Sequence, residues 1–168
     1  MEWTGARYAD KPTVEVHTWI DAPPSQVWRV VSDVELMPTM SEELQSVEWL
    51  DGTTEPSVGA RFVGRSKHDA LGEWGTTSEI IECVTDRVFA WAVEDRDNPT
   101  AIWRFSLAPK DGGTELTEWM QMGPARSGLS VAIDRMPDKE QQIVFVRMRE
   151  FERNMMHTLT QIKQLAER

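Results

Sequence analysis

Residues Asp138 to Arg168, DKEQQIVFVRMREFERNMMHTLTQIKQLAER, decide the fold. Val144, Met148, Phe151, Met155, Leu159, Ile162 and Ala166 recur in steps of three and four, which sets them on one face of an α-helix. The opposite face carries Arg147, Arg149, Glu150, Arg153 and Asn154, which the amphipathic pattern leaves in water. About 28 residues rising ~1.5 Å each make a rod of roughly 40 Å, enough to cross a small domain. Asp138 is placed to cap it, with Gln141 reaching back as in a capping box. Near its start Ile143, Val144, Phe145 and Val146 are apolar all round, so something must cover that turn. Two covers are open: a lid made by Gly123 to Pro137, with Leu129, Val131, Ile133 and Met136, or a second subunit. A helix this long also needs an apolar partner of equal length.

The preceding chain supplies one. Met1 to Pro12 reads as a peripheral N-terminal arm, and 13–168 as a single domain. Thr13 to Ile20 alternates polar and apolar residues as a strand does, and Asp21-Ala22-Pro23-Pro24 ends it and opens a helix. Ser25 to Ser32, with Val27, Trp28, Val30 and Val31, reads as a short buried helix; Asp33 to Met37 reads as a second, ended by Pro38. Strand patterns follow at Leu44 to Leu50, Gly59 to His68, Glu73 to Val84, Val88 to Val93, Ala101 to Leu107 and Thr114 to Met122. Turn chemistry separates them, including Asp51-Gly52 and Lys110-Asp111-Gly112-Gly113. Such short connections force antiparallel neighbours. An α+β fold is expected: a curved antiparallel sheet of about seven strands, one face apolar and covered by the C-terminal helix.

This order resembles the START/Bet v 1-like (SRPBCC) superfamily, and within it the polyketide cyclase/dehydrase-like proteins of bacteria. The resemblance rests on Val14-Glu15-Val16 leading to Asp21 through Trp28 and Asp33, then Gly59 to Gly64, Trp74 to Ser78, Trp103 to Leu107, Gly112 to Thr114, Thr117-Glu118 and Leu159 to Leu165. It covers about residues 13 to 166. It implies the helix-grip fold, in which the sheet wraps the last helix and encloses an apolar cavity. Relatives include lipid and hormone carriers, polyketide aromatase/cyclases and quinone-binding proteins, so the fold alone leaves function open. The chain departs from a common family pattern at Met37-Pro38, where tryptophan often precedes the proline.

Composition narrows the partners. A formal net charge of −10 argues against nucleic acid as the principal ligand. One cysteine, Cys83, leaves no internal disulfide, and its strand context suits a structural thiol. With a polar N-terminus and no membrane-length apolar run, a cytoplasmic protein without stable membrane insertion is expected, monomeric or homodimeric. His17, His68 and His157 lack metal-ligand spacing, and no phosphate loop, dinucleotide fingerprint or nucleophile elbow occurs, so no cofactor is expected. Eight tryptophans and nine methionines suit large adaptable apolar surfaces, in a core or a pocket.

Period-two parity names the inner face. It groups Phe62, Gly64, Ser66 and His68; Trp74, Thr76, Ser78 and Ile80; Phe89, Trp91 and Val93; Trp103, Phe105 and Leu107; and Leu116, Glu118, Met120 and Met122. Glu118 is the one carboxylate in those sets. It reads either as a ligand anchor or acid/base, or as a structural group bonded to a neighbouring strand or to Arg104. His68 reads as a cavity-mouth group or an exposed strand end. Expected ligand contacts are Phe62, Ser66, Trp74, Phe89, Trp91, Trp103, Phe105, Glu118, Met120, Met148, Phe151 and Met155. Three functions stay open: a carrier of a small hydrophobic molecule (lipid, polyketide or aromatic metabolite), a cyclase/aromatase/dehydratase using Glu118 with Ser66 or His68, or an interaction module whose own side chains fill the interior.

Overall fold

A computed structural model describes residues 1–168. Strand β1 (Thr13–Ile20) leads into α1 (Pro24–Val31) and α2 (Met37–Met40). Six strands follow: β2 (Leu44–Trp49), β3 (Arg61–His68), β4 (Gly72–Val84), β5 (Val88–Asp95), β6 (Asn98–Lys110) and β7 (Gly113–Met122). The chain closes with α3 (Gly128–Arg135) and α4 (Glu140–Ala166). The seven strands form one antiparallel sheet in the order β1-β7-β6-β5-β4-β3-β2. Only β1 is out of sequence order, because α1 and α2 carry the chain from one edge of the sheet to the other. The expected helix-grip architecture is therefore present, with α4 lying against β1, α1 and α2.

The parity expectation holds on the inner face. Val14, Val16, Ile20, Phe62, Ile80, Phe89, Phe105, Leu107, Leu116 and Met120 are buried with Val144, Met148, Met155, Leu159 and Ile162 of α4 in one cluster. A bulge between Ile80 and Glu82 reverses the alternation of β4 beyond Ile80, so that Glu82 lies on the outer face with Arg104. Arg61, Arg65 and Lys67 are exposed on the outer face, as their parity requires.

Three local expectations are corrected. Pro38 lies in the first turn of α2 and helps start that helix, where a missing N–H costs nothing. No Asp138 capping box opens α4: a tight turn at Pro137–Lys139 precedes it and Lys139 occupies the cap without a side-chain bond. The N-terminal arm takes up the polar groups there instead. Tyr8 N–H and the Arg7 guanidinium donate to Glu140 (3.1 and 3.3 Å), and Gln141 Nε2 donates to the Gly5 carbonyl at 2.7 Å. The third correction concerns the all-apolar turn. Trp3 of the arm packs edge-on against Phe145 with ring centroids 5.1 Å apart, while α3 packs beside it. Within the expected lid Leu129 is buried, but Val131 and Met136 point to solvent, as does Val146.

Candidate functional site

Sheet and helix do not meet everywhere. Between them lies a cavity of about 640 Å³, walled by the inner faces of β3 to β7, by α2, by the start of α3 and by one face of α4. That volume falls inside the ~300–1,000 Å³ range of small-molecule sites. Trp91 and Trp103 sit on central strands with their side chains inward, yet both keep accessible surface because they border this space.

The aromatic wall is continuous. Trp91 contacts Phe62, Phe89 and Phe105 with centroids 6.2, 5.6 and 6.1 Å apart, and Trp103 meets Phe151 of α4 edge-on at 5.4 Å. Of the expected ligand contacts, Phe62, Ser66, Trp74, Trp91, Trp103, Phe105, Glu118, Met120, Phe151 and Met155 all border the cavity. Phe89 and Met148 do not. Phe89 is fully buried behind the wall against Trp28 (6.1 Å), and Met148 lies in the core stripe of α4. Met37, at the departure from the family pattern, also borders the space.

Glu118 is central to β7, opposite Val16 of β1 and Phe105 of β6, with Leu116 and Met120 beside it on the same face. Its side chain is 5% exposed, and Oε2 has no hydrogen-bond partner. Burial among apolar neighbours pushes its pKa up to about 8. The structural alternative fails: Arg104 lies on the other face, bonded to Glu82 at 2.7 Å and stacked over Trp119 at 4.9 Å. Of the other expected acid/base candidates, Ser66 borders the cavity and His68 does not. His68 is neither at the mouth nor exposed. Its Nδ1 accepts from the Ala70 and Leu71 amides (3.0 and 3.1 Å), which fixes the Nε2–H tautomer, and Nε2 donates to Glu150 at 2.6 Å. It thus holds the β3–β4 turn against α4, with Leu71 on the cavity wall.

The face of α4 read as solvated contains the second polar group. Arg147 is buried, and its two terminal nitrogens each donate to Glu43 at 2.7 Å, while Asn154 Nδ2 adds a third bond to Glu43 at 3.0 Å. The guanidinium also lies 4.2 Å over the Phe151 ring. Arg147, Phe151, Asn154 and Thr158 follow steps of three and four, so they form a second stripe beside the apolar one. That spacing was a signal available in the sequence. Glu43 carried none, since it stands in a polar run before β2. Elsewhere, burial pushes the Cys83 thiol up, which keeps it protonated and unsuited to nucleophilic attack. No helix is long and apolar enough to cross a membrane.

Comparison with known proteins places this geometry. The family described as polyketide cyclase / dehydrase and lipid transport matches residues 11–141. A polyketide-cyclase-like protein of Corynebacterium glutamicum is 31% identical, covering 92% of this chain and 91% of its own, with a TM-score of 0.66. One half of the di-domain ARO/CYC protein StfQ from the steffimycin biosynthetic pathway shares the fold (TM-score 0.71, 13% identity, 92% of this chain and 50% of that one). Ara h 8.0201 shares it too (TM-score 0.55, 15% identity, 90% and 97%). No curated protein matches.

Proposed function

Since the chain belongs to the polyketide cyclase/dehydrase and lipid-transport family, we propose that it binds a small hydrophobic molecule in the cavity between sheet and α4. The observation that carries this is the cavity itself, about 640 Å³ of space under a wall of Trp, Phe and Met side chains. A filled interior, the interaction-module reading, does not leave such space. Affinity comes mainly from burying the ligand's apolar surface, and a few polar groups fix its orientation. Glu118 is the polar group best placed to do so. The segment 124–137 acts as the lid, since Arg126, Ser127, Gly128 and Leu129 border the cavity from outside the sheet. The protein works in the cytoplasm as a monomer or homodimer, without nucleic acid.

The test is extraction of the purified protein followed by mass spectrometry, with a panel of apolar dyes as a second arm. A retained molecule or dye binding quenched by Trp91 and Trp103 supports the proposal; a protein that neither retains nor accepts anything overturns it. Amides in 124–137 should also exchange more slowly with ligand bound, and unchanged exchange removes the lid.

A second reading rests on Glu118. A carboxyl with a pKa raised to about 8, lining the same cavity as Ser66, is suited to proton transfer in a cyclase or dehydratase. Glu118→Gln separates the two: a carrier keeps most of its affinity, whereas an enzyme keeps binding and loses turnover.

A further inference from the structure

We infer that His68 is a proton-operated latch on the β3–β4 turn: a proton on its ring frees the turn, takes Leu71 off the cavity wall and opens the cavity beside α4. Its effect on a bound molecule rests on the binding reading above; the latch itself does not.

The turn has no other hold. Asp69, Ala70 and Leu71 join β3 to β4 and take part in no backbone hydrogen bond. The amides of Ala70 and Leu71 donate instead to His68 Nδ1, at 3.0 and 3.1 Å. The turn is therefore built on the lone pair of one nitrogen, on the side chain type whose charge changes most readily at physiological pH. Once Nδ1 carries a proton that lone pair is gone, and three N–H groups point at one another. Ala70 is exposed, so water takes the place of the ring as acceptor when the turn swings out.

The other side of the ring responds in the opposite sense. Nε2 donates to Glu150 at 2.6 Å, and a charge on the ring turns that bond into an ion pair. The remaining charged groups packed about it are Arg147 on α4, Glu43 ahead of β2, and Lys67, Asp69 and Glu73 on the hairpin. Arg147 lies 3.8 Å from Glu150 and forks onto Glu43. Lys67 and Glu73 oppose each other across the hairpin, and Asp69 is exposed. None of these bonds the ring or accepts from the two amides. One proton thus holds the ring to α4 and releases the turn from the ring. Leu71, which borders the cavity with Ser66 and Trp74 of the same hairpin, goes with the turn.

The test is a pH titration of the full, isotope-labelled chain by NMR. It reads the His68 ring and the exchange of the Ala70 and Leu71 amides, each rate taken against its intrinsic value at the same pH. Protection of both amides should fall at least about tenfold with the midpoint of the ring, roughly the effect of one lost hydrogen bond. Glu150→Gln removes the anionic partner, so ring and amides should shift together to lower pH. His68→Asn keeps an acceptor near the place of Nδ1 that takes up no proton, and its amides should stay protected throughout. Glu118, with its pKa of about 8, is present in both variants, so a pH effect that survives in His68→Asn belongs elsewhere and overturns the latch. Amides that stay protected while the ring titrates overturn it too, as does a ring that stays neutral until the chain unfolds, or a midpoint for the amides that does not follow the ring in Glu150→Gln. Bound phenylnaphthylamine, an uncharged fluorescent probe, should leave several-fold faster below the midpoint in the parent and not in His68→Asn; release that ignores the midpoint overturns the opening of the cavity. A probe that binds at no pH overturns the binding reading, and the amides alone then decide the latch.

Discussion

Of the glutamates that border the cavity, Glu43 and Glu118 are withdrawn from solvent and meet burial in opposite ways. Glu43 stands just before β2 and accepts three bonds, two from Arg147 and one from Asn154. Glu118 stands mid-strand on β7 among apolar side chains, with one oxygen unpartnered, so it keeps its proton to about pH 8. The difference lies in what surrounds each carboxyl. A buried carboxylate with an arginine fork and an amide keeps nearly all its lone pairs occupied. One with none of these escapes the cost of burial only by becoming neutral. The first arrangement ties β2 to α4 and leaves nothing over for a ligand. The second leaves a hydrogen-bonding group free, which is what a site needs.

Substitutions at these two positions put the contrast to measurement, beginning with the larger effect. The Glu118 carboxyl is raised from 4.5 to about 8 in the folded protein. Below 4.5 both folded and unfolded states hold the proton, and the site costs nothing extra. As pH rises past 4.5 the unfolded chain ionises and gains while the folded one does not, so stability falls until the folded carboxyl ionises near 8. Over that window the loss reaches at most about 5 kcal/mol, at ~1.4 kcal/mol per pKa unit. Glu118→Gln removes the titration. Its stability relative to the parent should therefore grow steadily with pH in urea unfolding series. A gap that stays constant with pH would mean that Glu118 is ionised and solvated throughout.

Arg147→Met should come next, at about 3–5 kcal/mol, because it strands Glu43 as an uncompensated buried charge. Removing both partners, in Glu43→Leu with Arg147→Met, should recover most of that loss, since the desolvation cost leaves with the ions. Equal destabilisation by the single and the double variant would show that Arg147 matters for packing over Phe151 and not for its charge.

Half of this contrast was legible in the sequence. Glu118 stands out because strand parity is a strict alternation of two: with Leu116, Met120 and Met122 apolar, the glutamate between them must share their face. The expected strand face of β3 through β7 held for the same reason, and the bulge near Glu82 lies beyond the residues the cavity uses. Glu43, Arg147 and Asn154 were not legible in that way. A helix has no two-valued parity, and a polar stripe next to an apolar one looks the same whether water or a cavity lies beyond it. Which side of α4 the sheet leaves open depends on how far the strands curl, a property of the whole sheet. Phe89 and Met148 fail for a related reason, since facing inward on a strand or helix does not tell core from cavity wall.

Smaller effects test how the wall around the two carboxyls is held. His68→Ala removes the bond to Glu150 and the acceptor for the Ala70 and Leu71 amides, which should cost about 1–3 kcal/mol and loosen Leu71 on the cavity wall. Ligand affinity should drop with it, while Glu118 keeps its titration. The smallest effect is expected from the arm. Tyr8 Oη donates to the Ala125 carbonyl at 2.6 Å and lies 3.1 Å from Ser127 Oγ, so it pins the start of the 124–137 segment, whose residues Arg126 to Leu129 border the cavity. Tyr8→Phe keeps the ring and loses those bonds, for about 1 kcal/mol. If the arm holds the lid, amides of 124–130 should exchange faster in this variant and bound ligand should leave sooner, with the Arg147–Glu43 end unchanged. Faster exchange spread evenly over the whole chain would assign Tyr8 to general stability and separate the arm from the cavity.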